Sequence, residues 1–217
     1  LSAPPKRSVE EVWPPKVTPD LTDHPVGILR TQPRYEDLDE QREIEQAYLT
    51  AIKRARRSIY IESQYFTAQA ISRALAQRLS EHDGPDVVLV LRQHCDGWLE
   101  RQTMDSLRAQ LLREVELADH YGRLRVYAPV VPGVDGAEPV AVHSKLLIVD
   151  EEFVCIGSAN VSNRSMGFDT ECNLAVEAGG QARAHTVIEA FRNGLLAEHL
   201  GVAPETVAQH IRQCGSL

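Results

Sequence analysis

Apolar positions recur along the chain at two spacings, and the switching between them lays out a succession of strands and helices. Val26 to Thr31 reads as a short strand, and Glu40 to Arg57 as an amphipathic helix with Ile44, Tyr48, Ala51, Ile52 and Ala55 on its apolar side. Ser58 to Glu62 predicts a strand, Ala68 to Glu81 a helix, Val87 to Leu91 a strand, Leu99 to Ala118 a long helix and Leu124 to Tyr127 a strand. After an apolar loop from Pro129 to Pro139, further strands are predicted at Leu146 to Val149, Phe153 to Ile156 and Cys172 to Glu177. Gly179-Gly180 marks a joint, and helices around Ala182 to His199 and Pro204 to Gln213 close the chain. Alternation of this kind predicts a layered α/β protein. Its organisation reads as an extended Pro-rich arm over 1–22, with Pro4-Pro5 and Pro14-Pro15, a main domain over 23–178, and C-terminal helices over 179–217 packed on that domain.

Composition changes this picture little. A chain of 217 residues can bury a substantial core. Its net charge of −8 argues mildly against tracking a phosphate backbone, although a local basic cleft can sit on an acidic domain. Cys95, Cys155, Cys172 and Cys214 form no CxxC and have no spaced His partners, so neither a zinc site nor a disulfide framework is expected. Cys155 and Cys172 fall in predicted strands and read as buried small apolar residues. No apolar run is long enough to span a bilayer. The chain opens on Leu1 without an initiator Met and reads as a processed or excised piece; its Arg and Ala usage points to a bacterial source.

The candidate chemistry is concentrated in one stretch. His143-Ser-Lys145-Leu-Leu-Ile-Val-Asp150 is followed by Gly157-Ser158-Ala-Asn160 and then Glu171. Strand alternation carries His143 and Lys145 onto the face of Leu147 and Val149, and there an imidazole and an ammonium can reach one phosphate together, as nucleophile and counter-charge. Asp150 falls on the opposite face and reads as structural. Only four lysines occur, Lys6, Lys16, Lys53 and Lys145, and one of them stands in this motif. Val130, Val131 and Val134 in the loop leading to His143 read either as a wall or lipid-facing lip of the cleft or as packing on the domain; Tyr65, Phe66 and Trp98 carry the same ambiguity. Arg54, Arg56 and Arg57 read as a solvated face at a helix end, with contact to a phosphate or lipid headgroup as the alternative.

HxKxxxxD followed by GSxN resembles the phospholipase D superfamily, whose members cleave or exchange phosphodiesters through a phosphohistidine. Ile59-Tyr60-Ile61-Glu62-Ser63-Gln64-Tyr65-Phe66 resembles the segment that opens the second half of two-motif members, and Asn163-Arg164-Ser165-Met166 with Asp169-Thr170-Glu171 resembles its continuation. The resemblance runs from about Val26 to Ala178 and implies an α/β/α sandwich with a mixed central sheet. It makes His143 the nucleophile or the general acid and Lys145 a phosphate ligand. Ser158 and Asn160 become neutral phosphate ligands, Gly157 and Asp150 structural members of the motif, and Glu171 the acceptor for the far ring N–H of His143. No metal and no cofactor are implied.

One motif is half of the superfamily's usual pair, and no other histidine has Lys two positions on. Either two copies meet with their His143 side chains facing one phosphate, or the second half lies upstream in the native protein. The reading favoured on sequence is a phospholipid phosphodiesterase or phosphatidyltransferase, a soluble domain working at a membrane surface, with phospholipid as partner and nucleic acid fitting less well. The alternatives are a single-motif homodimeric endonuclease, and a catalytically idle membrane- or protein-binding module.

Overall fold

The computed structural model describes residues 14, 16–94, 101–133 and 136–217, with the side chains of 101 and 102 left aside. Most of the Pro-rich arm, Cys95, Trp98 and Val134 therefore lie outside the described residues, and residues 16–22 form neither helix nor strand.

The chain enters through β1 (Gly27–Gln32) and β2 (Gln41–Arg42), then α1 (Glu43–Arg54), β3 (Ser58–Ser63) and the short β4 (Phe66–Thr67). α2 (Gln69–Ser80) and β5 (Asp86–Leu91) follow, then a π-helical turn at Arg101–Asp105 that runs into α3 (Ser106–Ala118), and β6 (Leu124–Tyr127). Of the predicted long helix, the described part is π-helical over Arg101–Asp105 and α-helical from Ser106, and its first two positions lie outside the described residues. β7 (Val130–Gly133) and β8 (Gly136–Pro139) pair as an antiparallel hairpin where the sequence predicts a loop. β9 (Leu146–Val149), β10 (Phe153–Gly157), β11 (Val161–Ser162), α4 (Asn163–Gly167) and β12 (Glu171–Glu177) carry the motif region, and α5 (Ala182–Leu200) and α6 (Pro204–Cys214) end the chain.

Among the described residues the main sheet has eight strands in the order β2-β1-β12-β10-β9-β3-β5-β6. β3, β5 and β6 run parallel through helical crossovers, whereas β9, β10, β12 and β1 alternate antiparallel, so the sheet is mixed. β3 and β9 are apolar on both faces because both are covered. Ile59, Ile61, Leu147 and Val149 meet Ile44, Tyr48, Ile52, Ile71, Leu75 and Leu111 from α1, α2 and α3 in one core. Tyr60, Val88, Leu146 and Ile148 meet Ala184 and Ile188 of α5 in a second. The result is an α/β/α sandwich whose middle strands are specified from both sides.

Two chain features set the ends of these central strands. Asp150, at φ 52°, turns the chain out of β9. Its carboxylate, 6% exposed, accepts the backbone N–H groups of Arg56 at 3.0 Å, Arg57 at 2.8 Å and Ser58 at 2.8 Å. Those are the amides that open β3, and a buried carboxylate needs such donors. Arg54, Arg56 and Arg57 themselves point to solvent, Arg57 pairing with Glu151. Cys155 is buried, which pushes its thiol up to about 11, but Cys172 is exposed, contrary to expectation. It shares a sheet face with Leu174, Ile156 and Ile28, which are 46%, 42% and 66% exposed, where α5 and α6 leave the sheet uncovered.

Candidate active site

The ladder between β3 and β9 ends at Glu62 opposite Leu146. His143, Ser144 and Lys145 occupy the extended segment just before it, at the C-terminal edge of β3. The segment keeps the parity of the strand, so the Lys145 side chain lies on the side of Leu147 and Ser144 on the side of Leu146. Lys145 is only 8% exposed, and its ammonium donates to the His143 carbonyl at 2.6 Å and to Gln64 Oε1 at 3.4 Å. Burial pulls the Lys145 ammonium below its ordinary value, while the nearby Glu171 carboxylate opposes that shift. His143 is exposed, and its ring makes no hydrogen bond among the described residues.

The Gly157-Ser158-Ala159-Asn160 turn is stitched to this segment by the Gly157 N–H, which donates to the Lys145 carbonyl at 3.1 Å. A Cβ on Gly157 would stand 2.4 Å from the Cys172 carbonyl oxygen and 2.6 Å from the Asn173 Cα, so β10 approaches β12 as only glycine permits. The Ser158 hydroxyl donates to Glu171 Oε2 at 2.5 Å and accepts the Cys172 N–H at 3.0 Å. Asn173, fully buried, accepts the Ala159 N–H at 3.1 Å and holds the turn from below. The Ser63 hydroxyl accepts the Val161 N–H at 3.0 Å and lies 3.5 Å from Asn160 Oδ1, tying the far side of the turn to the end of β3.

His143, Lys145, Gly157, Ser158, Asn160 and Glu171 therefore sit around one end of the sheet, and Asp150 lies at the other end of β9. Glu171 engages Ser158 rather than the His143 ring, so the imidazole–carboxylate bond implied by the resemblance is not made within this chain. Gln64, Ser63 and Asn173 belong to the site's framework although sequence reasoning passed over them. Their signal was present: Glu62-Ser63-Gln64 puts consecutive polar residues at the end of an otherwise apolar buried strand. Phe66 is core, 1% exposed, whereas Val130 and Val131 of the β7–β8 hairpin are 52% and 49% exposed and do not pack inward. Among the described residues no group of three or more His, Cys, Asp or Glu side chains is placed to hold a metal ion. No helix among them is long and apolar enough to cross a membrane.

A family model described as cardiolipin synthase, PLD-like domain, matches residues 48–193, a span that holds every site residue above. The chain belongs to the phospholipase D superfamily. Phospholipase D alpha 1 from Arabidopsis thaliana is 27% identical over 233 residues, which take in 76% of this chain but 28% of that protein; the chain thus spans under a third of its curated plant relatives. In fold, the superfamily member Nuc from Salmonella typhimurium superposes with TM-score 0.56 and 17% identity over 82% of this chain and 94% of its own. NucT from Helicobacter pylori gives 0.55 and 20% over 82% and 97%. Phosphatidylserine synthase from Haemophilus influenzae gives 0.57 and 15% over 87% and 44%.

The likeness to Nuc and NucT over 94% and 97% of their own lengths corrects the expectation that nucleic acid fits less well as a partner. That expectation rested on a net charge of −8, which sums over the whole surface. A site that grips one phosphate needs its cation locally, and a buried lysine such as Lys145 is a local charge that the whole-surface sum does not register.

Proposed function

We propose that this chain is a phosphodiesterase acting through a phosphohistidine, that its site is one half of a pair, and that it is closed by a second copy acting on nucleic acid. The observation that carries the reading is the asymmetry of the motif: Lys145 is buried and fixed while His143, two residues away, is exposed with a ring that makes no hydrogen bond among the described residues. A solvent-facing imidazole beside an anchored ammonium suits a surface that another half-site completes. The match to Nuc and NucT over 94% and 97% of their own lengths supports the nucleic-acid reading over the lipid one.

In the proposed reaction a His143 ring nitrogen attacks phosphorus and the bond to the leaving oxygen breaks. That oxygen takes a proton from the opposing histidine of the second half. Water, deprotonated by the same opposing histidine, then attacks the phosphohistidine and releases His143. Lys145 and the amide of Asn160 neutralise and orient the phosphoryl oxygens through both steps, and Glu171 with Ser158 fixes the charge beside Lys145.

A lipid phosphodiester is the second reading. It is favoured by the match to the cardiolipin synthase model and to plant phospholipases D. One assay separates the two: the purified chain with bis(p-nitrophenyl) phosphate, single-stranded DNA and phosphatidylcholine vesicles, each with and without EDTA. Turnover that persists in EDTA and disappears in His143→Ala is expected, with DNA cut and vesicles spared. Cleavage of vesicles alone would transfer the reading to lipid, and activity abolished by EDTA would refute the phosphohistidine mechanism.

A further inference from the structure

Behind the site, on the opposite side of the sheet from Lys145, lies a polar cluster that the phosphate chemistry above does not use. Glu62 is the last residue of β3 paired with β9, and it lies, 3% exposed, on the α5 face. Three donors converge on its carboxylate. The Ser144 hydroxyl donates to Oε2 at 2.5 Å, His199 Nε2 lies 2.9 Å from Oε1, and the Tyr60 hydroxyl also donates to Oε1. Burial pushes the Tyr60 phenol far above its usual range, so it stays a donor. An isolated carboxylate at this depth would be strongly destabilising. Three donors from three different segments explain why one is present.

Ser144 is the residue between His143 and Lys145, and its position is the informative one. N-terminal to Leu146 the segment lies outside the ladder with β3, and its backbone is held by the Gly157 N–H on the Lys145 carbonyl. Fixing the Ser144 side chain on the back of the sheet fixes the directions in which its two neighbours leave the front. His199 stands in the last turn of α5, so the same carboxylate ties that helix to the segment.

We infer that Glu62 is a positioning residue: it clamps Ser144, and through it the His143–Lys145 backbone, against the end of β3, with Tyr60 and His199 locking the carboxylate in place. This rests on the phosphodiesterase reading only for its kinetic consequence. The test compares wild type, Ser144→Ala, Ser144→Thr and Glu62→Gln by kcat and KM on bis(p-nitrophenyl) phosphate and by amide hydrogen exchange across residues 141–145. Loss of the clamp is expected to lower kcat by about 10- to 100-fold, the scale of a misplacement near 1 Å, with KM changed by no more than about 2-fold. Ser144→Thr, which keeps the hydroxyl, is expected to recover most of the rate, and exchange across 141–145 is expected to quicken in Ser144→Ala and Glu62→Gln alone.

A Ser144→Ala enzyme with wild-type kcat and unchanged exchange would overturn the clamp, as would a Ser144→Thr variant no better than Ser144→Ala. If Glu62→Gln fails to fold, Ser144→Ala and Ser144→Thr decide the matter. Should wild type itself turn over no phosphodiester, the functional reading falls, and the exchange data alone still support or refute the clamp.

Discussion

Replacing Asp150 is expected to damage folding and leave the chemistry intact. Its carboxylate accepts three backbone N–H groups, and only the one from Ser58 is fully buried. Hydrogen bonds to a charged group contribute about 1.5–3 kcal/mol each when buried, and those from the more exposed Arg56 and Arg57 amides about 0.5–1 each, since water can replace the acceptor. Holding alanine at φ 52° adds about 1 kcal/mol. Asp150→Ala should therefore cost about 4–5 kcal/mol, equivalent to about 10–15 °C in Tm for a domain of this size. Asn tolerates the left-handed conformation and keeps one carbonyl acceptor, so Asp150→Asn should cost about 1–2 kcal/mol.

Urea unfolding gives the stability of the three proteins, and phosphodiesterase activity is measured well below each midpoint, per folded molecule. The expectation is a large fall in stability for the alanine variant, a small one for asparagine, and a rate within about 3-fold of wild type for both. An Asp150→Ala protein of near-normal stability but negligible activity would show that the carboxylate takes part in the reaction, and the reasoning from parity and geometry would fail.

Gly157→Ala forces a Cβ onto the backbone of Cys172 and Asn173, which should cost about 1–3 kcal/mol and, by parting β10 from β12 beside Ser158 and Glu171, reduce kcat further than the lost stability explains; thermal unfolding and kinetics on one preparation check both. Lys145→Met should abolish turnover while keeping or raising Tm at pH 7. Burial holds the Lys145 ammonium below its ordinary value, so the unfolded chain binds the proton more tightly and the charged residue opposes folding. That penalty is complete below the folded-state value and vanishes as pH rises past the unfolded value of about 10.4, so the variant's Tm advantage should shrink toward alkaline pH. Glu151→Ala should destabilise by about 3 kcal/mol, because it strips the partner, 2.7 Å away, from the 2%-exposed Arg192 side chain; Arg192→Met with Glu151→Ala should recover part of that loss in a urea titration.

The strands of the sheet were legible because both faces of β3, β5 and β9 are covered, which turns them into short unbroken apolar runs. The β7–β8 hairpin was not: Val130 and Val131 are adjacent rather than alternating, both are exposed, and Pro129, Pro132 and Pro139 disguise the pairing. Cys172 was misplaced for a related reason. Its neighbours Cys172-Asn-Leu-Ala-Val alternate as a half-buried strand should, but periodicity alone does not say which face the helices cover, and here the even positions beside Ile28 and Ile156 stay open. The motif residues were legible one by one. Their supports were not, because Glu62 satisfies its charge through Ser144 and His199, 82 and 137 residues away in sequence.

The fixed spacing of the motif follows from these contacts. His143 and Asp150 are an odd number of residues apart, so on an extended chain they leave opposite faces, and the structure uses that division. Asp150 fastens one end of β9 to the amides that open β3, and Ser144 fastens the other end to Glu62, where β3 closes. Between the two ties lie Lys145 and the four residues of β9, all buried. A slip of one residue would move Leu147 and Val149 out of one core and Leu146 and Ile148 out of the other, and would break both ties at once. The register of β9 is therefore determined several times over, and His143 and Lys145 inherit their placement at the sheet's edge from it. On the proposed reading, that explains how a side chain as exposed as His143, whose ring makes no hydrogen bond among the described residues, is aimed with the precision phosphoryl transfer requires: the aim is set in the backbone, and the ring is left for the phosphate.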